Sequence, residues 1–195
     1  MNRVELKENA KKQLEGKYKD AIIITVLYLT ITSAATFVGS LLGPLTIIIN
    51  AVVSGLIFFG YTNYFLKVSR GENPTFKELF ARTDLLVPYI LISLLVGVFT
   101  FLWSLLFVIP GIIATFSYSM VYYIALDNPE LSAMEAIKKS KQMMNGHKVD
   151  YFILSLSFIG WGLLVPFTFG LLSLWLNPYM QVTFANFYNQ LKAHN

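Results

Sequence analysis

The sequence predicts an all-α membrane protein of six transmembrane helices. They form three hairpins of the same orientation, each preceded by a cytoplasmic amphipathic helix. Three observations predict it. Of the 195 residues, 55% are hydrophobic and only 13% are charged, about half the charged share of an ordinary soluble domain. Residues 21–66, 85–126 and 151–191 contain no charged side chain, and each stretch exceeds 40 residues. All 15 Lys and Arg residues fall in the polar segments around and between those stretches. A transmembrane helix takes about 20 apolar residues, so each stretch holds two spans and a tight turn.

In chain order, the first polar segment carries Leu6, Ala10, Leu14 and Tyr18 at helical spacing. That stripe predicts an amphipathic helix lying on the inner membrane surface or packing under the bundle. Spans one and two cover 21–43 and 45–66, with the turn in "LLGPL" around Gly43–Pro44. Ala35, Gly39 and Gly43, together with Ala51 and Gly55, suit close packing of this pair. The second polar segment contains "NPTFKE" at 73–78, an Asn-Pro before a capping box of Thr75 with Glu78. It opens a short helix with the stripe Phe76, Leu79 and Phe80. Spans three and four cover 85–108 and 111–127, turning at "VIPG". The third polar segment repeats the start signal in "NPELSAME" at 128–135, pairing Ser132 with Glu135, and carries the stripe Met134, Ile137 and Met144. Spans five and six cover 150–167 and 170–191, turning at "VPFTFG". Every Lys and Arg then lies on one side and the three turns carry none. The positive-inside rule makes that side cytoplasmic, with both termini inside. A competing reading makes 22–32 the apolar region of a signal peptide cleaved at Ser33–Ala35. Glu5, Glu8, Glu15 and Asp20 before it, and the apolar run continuing past it, argue against cleavage.

A shift of 130 positions aligns the first and third units. Glu5 meets Glu135, Lys11 meets Lys141, Gly16 meets Gly146 and Asp20 meets Asp150. The chain reads as one polytopic domain of repeat-like units, 1–66, 67–126 and 127–195. Gly16 and Gly146 stop the charged helices, and the aspartates favour the start of the following span. His147 aligns with Lys17 and reads as a basic interfacial residue.

Little in the sequence carries chemistry. There is no cysteine, and the only histidines are His147 and His194. No HExxH, phosphate-binding glycine loop or Gly-x-Ser-x-Gly elbow occurs. The expectation is a non-enzymatic protein without cofactor or metal. An interfacial hydrolase built on His147 and Asp150 would lack a nucleophile. Nothing marks a nucleic-acid surface. No ionisable Asp, Glu, Lys, Arg or His lies within the stretches 21–66, 85–126 and 151–191, which argues against proton- or ion-driven transport. Uncharged polar stripes do stand out. Thr46, Asn50 and Ser54 share a face of span two, and Asn177, Gln181 and Asn189 share a face of span six. They line a small polar cavity or bond helix to helix. The interfacial stripes supply further contact residues, Leu14, Phe76, Phe80, Met134 and Ile137, for membrane lipids or for a membrane or cytoplasmic protein partner.

The runs "MMNGHKVDYFILSLSFIGWGLL" (143–164) and "LWLNPYMQVTFANFYNQL" (174–191) resemble an uncharacterised bacterial integral-membrane family, the domain of unknown function numbered 975. The resemblance extends over the whole chain and is most specific in the last 50 residues. It implies a multi-pass protein of the bacterial cytoplasmic membrane and brings no activity or catalytic residue. The leading functional expectation is lipid or partner binding in the cell envelope. The alternative is a transporter or channel for a neutral or amphiphilic solute.

Overall fold

The computed structural model describes residues 2–43, 46–106 and 108–194. The described residues are 84% helical and contain no strand. Helix α1 (Arg3–Leu14) starts at Asn2, whose side-chain oxygen accepts from the amides of Val4 (3.1 Å) and Glu5 (3.4 Å). A turn through Gly16, at φ +74°, leads into α2 (Tyr18–Leu41). Helix α3 (Thr46–Ser69) packs along α2. Gly39 lets the backbones approach at Thr46, whose hydroxyl donates to the Gly39 carbonyl (2.6 Å). Further along, Thr36 Oγ1 donates to Asn50 Oδ1 (3.2 Å), and the hydroxyls of Thr25 and Tyr61 lie 3.3 Å apart. Partner numbers fall on α2 as they rise on α3, so the pair is antiparallel.

The same geometry recurs twice. Helix α4 (Leu86–Leu106) pairs with α5 (Val108–Ser117) and α6 (Val121–Asp127). Gly111 sits against Ser104, the Phe99 and Tyr118 rings are 6.4 Å apart, and the Ser93 and Tyr122 hydroxyls are 3.2 Å apart. After α7 (Ala133–Met143), the chain turns through Gly146 at φ +81° into α8 (Lys148–Leu156) and α9 (Ile159–Leu164). These pack on α10 (Leu171–His194) through a ladder of rings. Tyr151 meets Phe187 (5.3 Å), Phe158 meets Tyr179 (5.4 Å), and Trp161 meets Trp175 (5.9 Å). The connection closes with Phe169 and Gly170 both at positive φ.

Among the described residues, four stretches are long and apolar enough to cross a membrane: Tyr18–Leu41, Ile49–Ser69, Phe76–Leu105 and Ile109–Asp127. The expected fifth span is not one helix, because α8 and α9 meet at a break at Ser157 and Phe158. The sixth is continuous over 24 residues, but it carries Asn177, Pro178, Gln181, Asn186 and Asn189. The fourth is interrupted by a turn over 118–120. The "VIPG" turn falls instead inside the first turn of α5, while Phe107 before it lies outside the described residues. Of the Gly43–Pro44 turn, Gly43 has φ +60°, while Pro44, with Leu45 at the expected start of span two, lies outside them.

The expected second amphipathic helix is a pair of 3₁₀ turns, Phe76–Phe80 and Thr83–Leu85. Thr75 makes no side-chain cap there. Glu78 is drawn away to α3, accepting from Asn63 Nδ2 (3.0 Å) and Lys67 Nζ (2.8 Å). A carboxylate that gains an ion pair and a hydrogen bond across elements outbids one amide at a cap. Gly60 makes the approach feasible, because a Cβ there would overlap the carbonyl of Leu79. Gly55, expected between spans one and two, faces Leu86 and Tyr89 of α4 instead, and Ala51 is exposed.

Burial is uneven along the molecule. Leu6, Leu14, Ile24, Tyr64, Phe65, Met120, Ile124, Phe187 and Tyr188 are buried, and all lie toward the end where the charged segments gather. Around the three turns, Phe37, Leu41, Phe101, Leu105, Ile109, Phe167 and Phe169 are exposed. The packed core sits at the polar end, and the turn ends carry bare apolar surface.

Candidate functional site: a carboxylate hub and a capped helix break

The C-terminal ends of α3, α6 and α10 converge because each finishes an uncharged run and places its first charges together. Asp127 ends α6, and its side chain is only 9% exposed. Arg70 forks onto it, Nη1 to Oδ1 at 3.0 Å and Nη2 to Oδ2 at 2.7 Å. Lys192 Nζ (2.7 Å) and the Tyr188 hydroxyl (2.9 Å) donate to the same Oδ2. Arg70 Nε also donates to Asn189 Oδ1 (3.3 Å), and Asn189 Nδ2 to Ser69 Oγ (2.9 Å). One carboxylate thus ties the ends of α3, α6 and α10 at a single point, with bidentate geometry that favours Arg. Beside it, Gln13 of α1 donates to the Ser69 carbonyl (2.7 Å) and accepts from Asn186 (2.7 Å).

The second feature is the break between α8 and α9. Ser157 Oγ donates back to the Leu154 carbonyl (2.6 Å), a local bond that competes with helix continuation. The Ser157 carbonyl then accepts from Lys7 Nζ (3.2 Å), which lies 4.1 Å from the centre of the Phe158 ring. Lys11 stands 5.8 Å from the Tyr179 ring, next to Pro178 in α10. Lysine at a helix C-terminus satisfies freed carbonyls and complements the dipole. Burial, followed by Lys11 and Arg3 nearby, lowers the Lys7 pKa from its ordinary value.

The residues singled out from sequence divide between protein and exterior. Leu14 and Ile137 are buried inside the bundle, whereas Phe76, Phe80 and Met134 are exposed. Thr46 and Asn50 bond to α2, an interhelical rather than cavity-lining placement. Asn189 joins the Asp127 hub, while Ser54, Asn177 and Gln181 are half-buried. His147 Nδ1 lies 3.3 Å from Asp150 Oδ2. The cavity beside Asp150 is lined by Arg3, Leu6, Ile153, Leu154 and Phe187, so no hydroxyl among the described residues faces it. Among the described residues, no group of three or more His, Asp or Glu side chains gathers to hold a metal. Sequence reading did not single out Asp127 or Lys7. The partners of Asp127 lie 57 to 65 positions away, and Lys7 reaches its carbonyl across 150 positions.

The fold defines an all-helical protein with several helices able to span a membrane, packed at its charged end around one carboxylate. The chain belongs to the family described as Protein of unknown function (DUF975), whose model matches residues 1–113 and again residues 105–195. No curated protein and no solved structure matches the chain.

Proposed function

We propose that the chain is a non-enzymatic, multi-pass protein of the bacterial cytoplasmic membrane that binds lipid. In this reading α2, α3, α4, α5–α6, α8–α9 and α10 form six passes as three same-orientation hairpins. Both termini and all Lys and Arg residues then lie on the cytoplasmic side. One observation carries it. The antiparallel pairs bury their charged ends in a shared core, yet leave Phe37, Leu41, Phe101, Leu105, Phe167 and Phe169 bare at the turns. Apolar surface of that extent is costly in water and favourable against acyl chains. The engaged carboxylates Glu78, Asp127 and Glu135 fit a structural rather than catalytic use of charge.

The cysteine-free sequence allows a direct test. Single cysteines replace Ser40, Ile109 and Phe167 near the turns, and Glu72 and Glu130 at the charged end. A membrane-impermeant maleimide should label the first three in intact cells and the last two only after lysis. Labelling of Ser40→Cys and Ile109→Cys without Phe167→Cys would reduce the count to four passes. Labelling of Glu72→Cys from outside would overturn the orientation.

A further inference from the structure

The surface of α5 carries two adjoining cavities. One, of about 270 Å³, is walled by Trp103, Pro110, Ile113 and Tyr118 and bounded by Lys141 and Lys148. The other, of about 190 Å³, is walled by Ile112, Phe116 and Phe152. Ile113 and Lys148 line both, so the two form one groove between α5 and α8. Its walls are apolar, and Ile112, Ile113, Phe152 and Trp103 are exposed. Its cations come from the last turn of α7 and the first turn of α8, brought together by the Gly146 turn.

Like Lys12, Lys19, Lys77 and Lys138, those two lysines have no carboxylate partner among the described residues, and they are the ones that line this groove. Lys67, Arg70, Arg82 and Lys192 each pair with a carboxylate. With the described residues, the Lys141 and Lys148 side chains make neither an ion pair nor a hydrogen bond. Asp150, the carboxylate on α8, has His147 at 3.3 Å. A groove with a dry wall and two unanswered ammonium groups suits an acyl chain carrying an acidic head. A small soluble anion would use the lysines and leave the wall bare. A zwitterionic lipid would bring its own cation against them.

We propose that the groove between α5 and α8 binds one anionic phospholipid, with its phosphate between Lys141 and Lys148 and an acyl chain along Ile113, Phe116 and Phe152. The assignment rests on the membrane reading above and names the lipid class it takes. Basic pockets at the cytoplasmic side of helix bundles hold such head groups, and each lysine near the surface contributes roughly five-fold in affinity.

Trp103 reports on the groove. With Trp161→Phe and Trp175→Phe, it is the remaining tryptophan. The protein is reconstituted in vesicles containing either phosphatidylglycerol or phosphatidylcholine with brominated acyl chains, and Trp103 quenching is measured at equal mole fractions. The site predicts stronger quenching by the anionic lipid, a preference removed in Lys141→Gln/Lys148→Gln and kept in Lys141→Arg/Lys148→Arg. Native mass spectrometry of the protein with all tryptophans present should likewise retain one phosphatidylglycerol, lost in the double glutamine variant. Equal quenching by both lipids, or a preference that survives the glutamines, overturns the site while leaving the membrane reading intact. No quenching by either lipid overturns both. Loss of the preference on adding millimolar glycerol phosphate assigns the lysines to a free phosphate and overturns the lipid assignment.

Discussion

At the scale of single residues, the positions that matter share a simple economy: one polar atom settles one local backbone problem. Ser132 and Glu135 close α7 reciprocally. The Glu135 carboxylate accepts from the Ser132 amide (2.9 Å) and hydroxyl (2.6 Å), and Ser132 Oγ in turn accepts from the Glu135 amide (3.4 Å). The side-chain bond from Ser132, then the backbone bond, lowers the Glu135 pKa from its ordinary value. A carboxyl with a depressed folded pKa contributes above its unfolded pKa and loses that contribution as pH falls through the folded one. A carboxyl ¹³C titration should therefore place Glu135 below the ordinary glutamate value, and Ser132→Ala should return it upward. The matching pair Thr75 and Glu78 has the same spelling and a different outcome, since Glu78 faces Asn63 and Lys67. Identical local signals diverge when a stronger partner stands within reach.

At the scale of elements, glycine decides which helices touch. Gly60 admits the backbone at Glu78 and Leu79 onto α3, and Leu79 is fully buried as a result. Gly97, on α4, has open space where a Cβ would go. Gly60→Ala must push the 3₁₀ segment away, which costs about 2–3 kcal/mol by analogy with overpacked cores. Gly97→Ala should be neutral or stabilise by up to about 1 kcal/mol through helix propensity. Thermal unfolding in detergent compares the two, and equal midpoints would show that the 3₁₀ segment is not held at Gly60. The same reasoning explains the middle unit. Its polar segment is clamped to α3 by that close approach, so it has no room to become a free amphipathic helix.

At the scale of the whole molecule, three antiparallel pairs are joined chiefly at their charged ends. Asp127, at the end of α6, is the shared anchor, with Arg70 from the end of α3 and Tyr188 and Lys192 from α10. Asp127→Asn keeps the shape and removes the charge. It should lower stability by about 2 kcal/mol, a figure held down because Arg70 and Lys192 remain partly exposed. The loss should shrink in Arg70→Gln/Asp127→Asn relative to the sum of the single variants, because the two groups share one interaction. Strict additivity in that cycle would mean the units are held by apolar packing alone.

Much of this architecture was legible in the residues themselves. Long uncharged runs, Gly and Pro near their midpoints, and clustered Lys and Arg determined the apolar helices and the approximate turns, because helix length and hydropathy are local properties. The matched glycines at 16 and 146 likewise marked positions where the backbone needs positive φ. Tertiary structure decided the rest. The capping of the Ser157 carbonyl depends on Lys7 arriving from α1, the Asp127 hub on three helix ends meeting, and the burial of Leu14 on α10 and α3 lying against α1. Each is a contact between groups far apart in the chain. Its energy exists only once the packing places them within a few ångströms, and no local pattern encodes it.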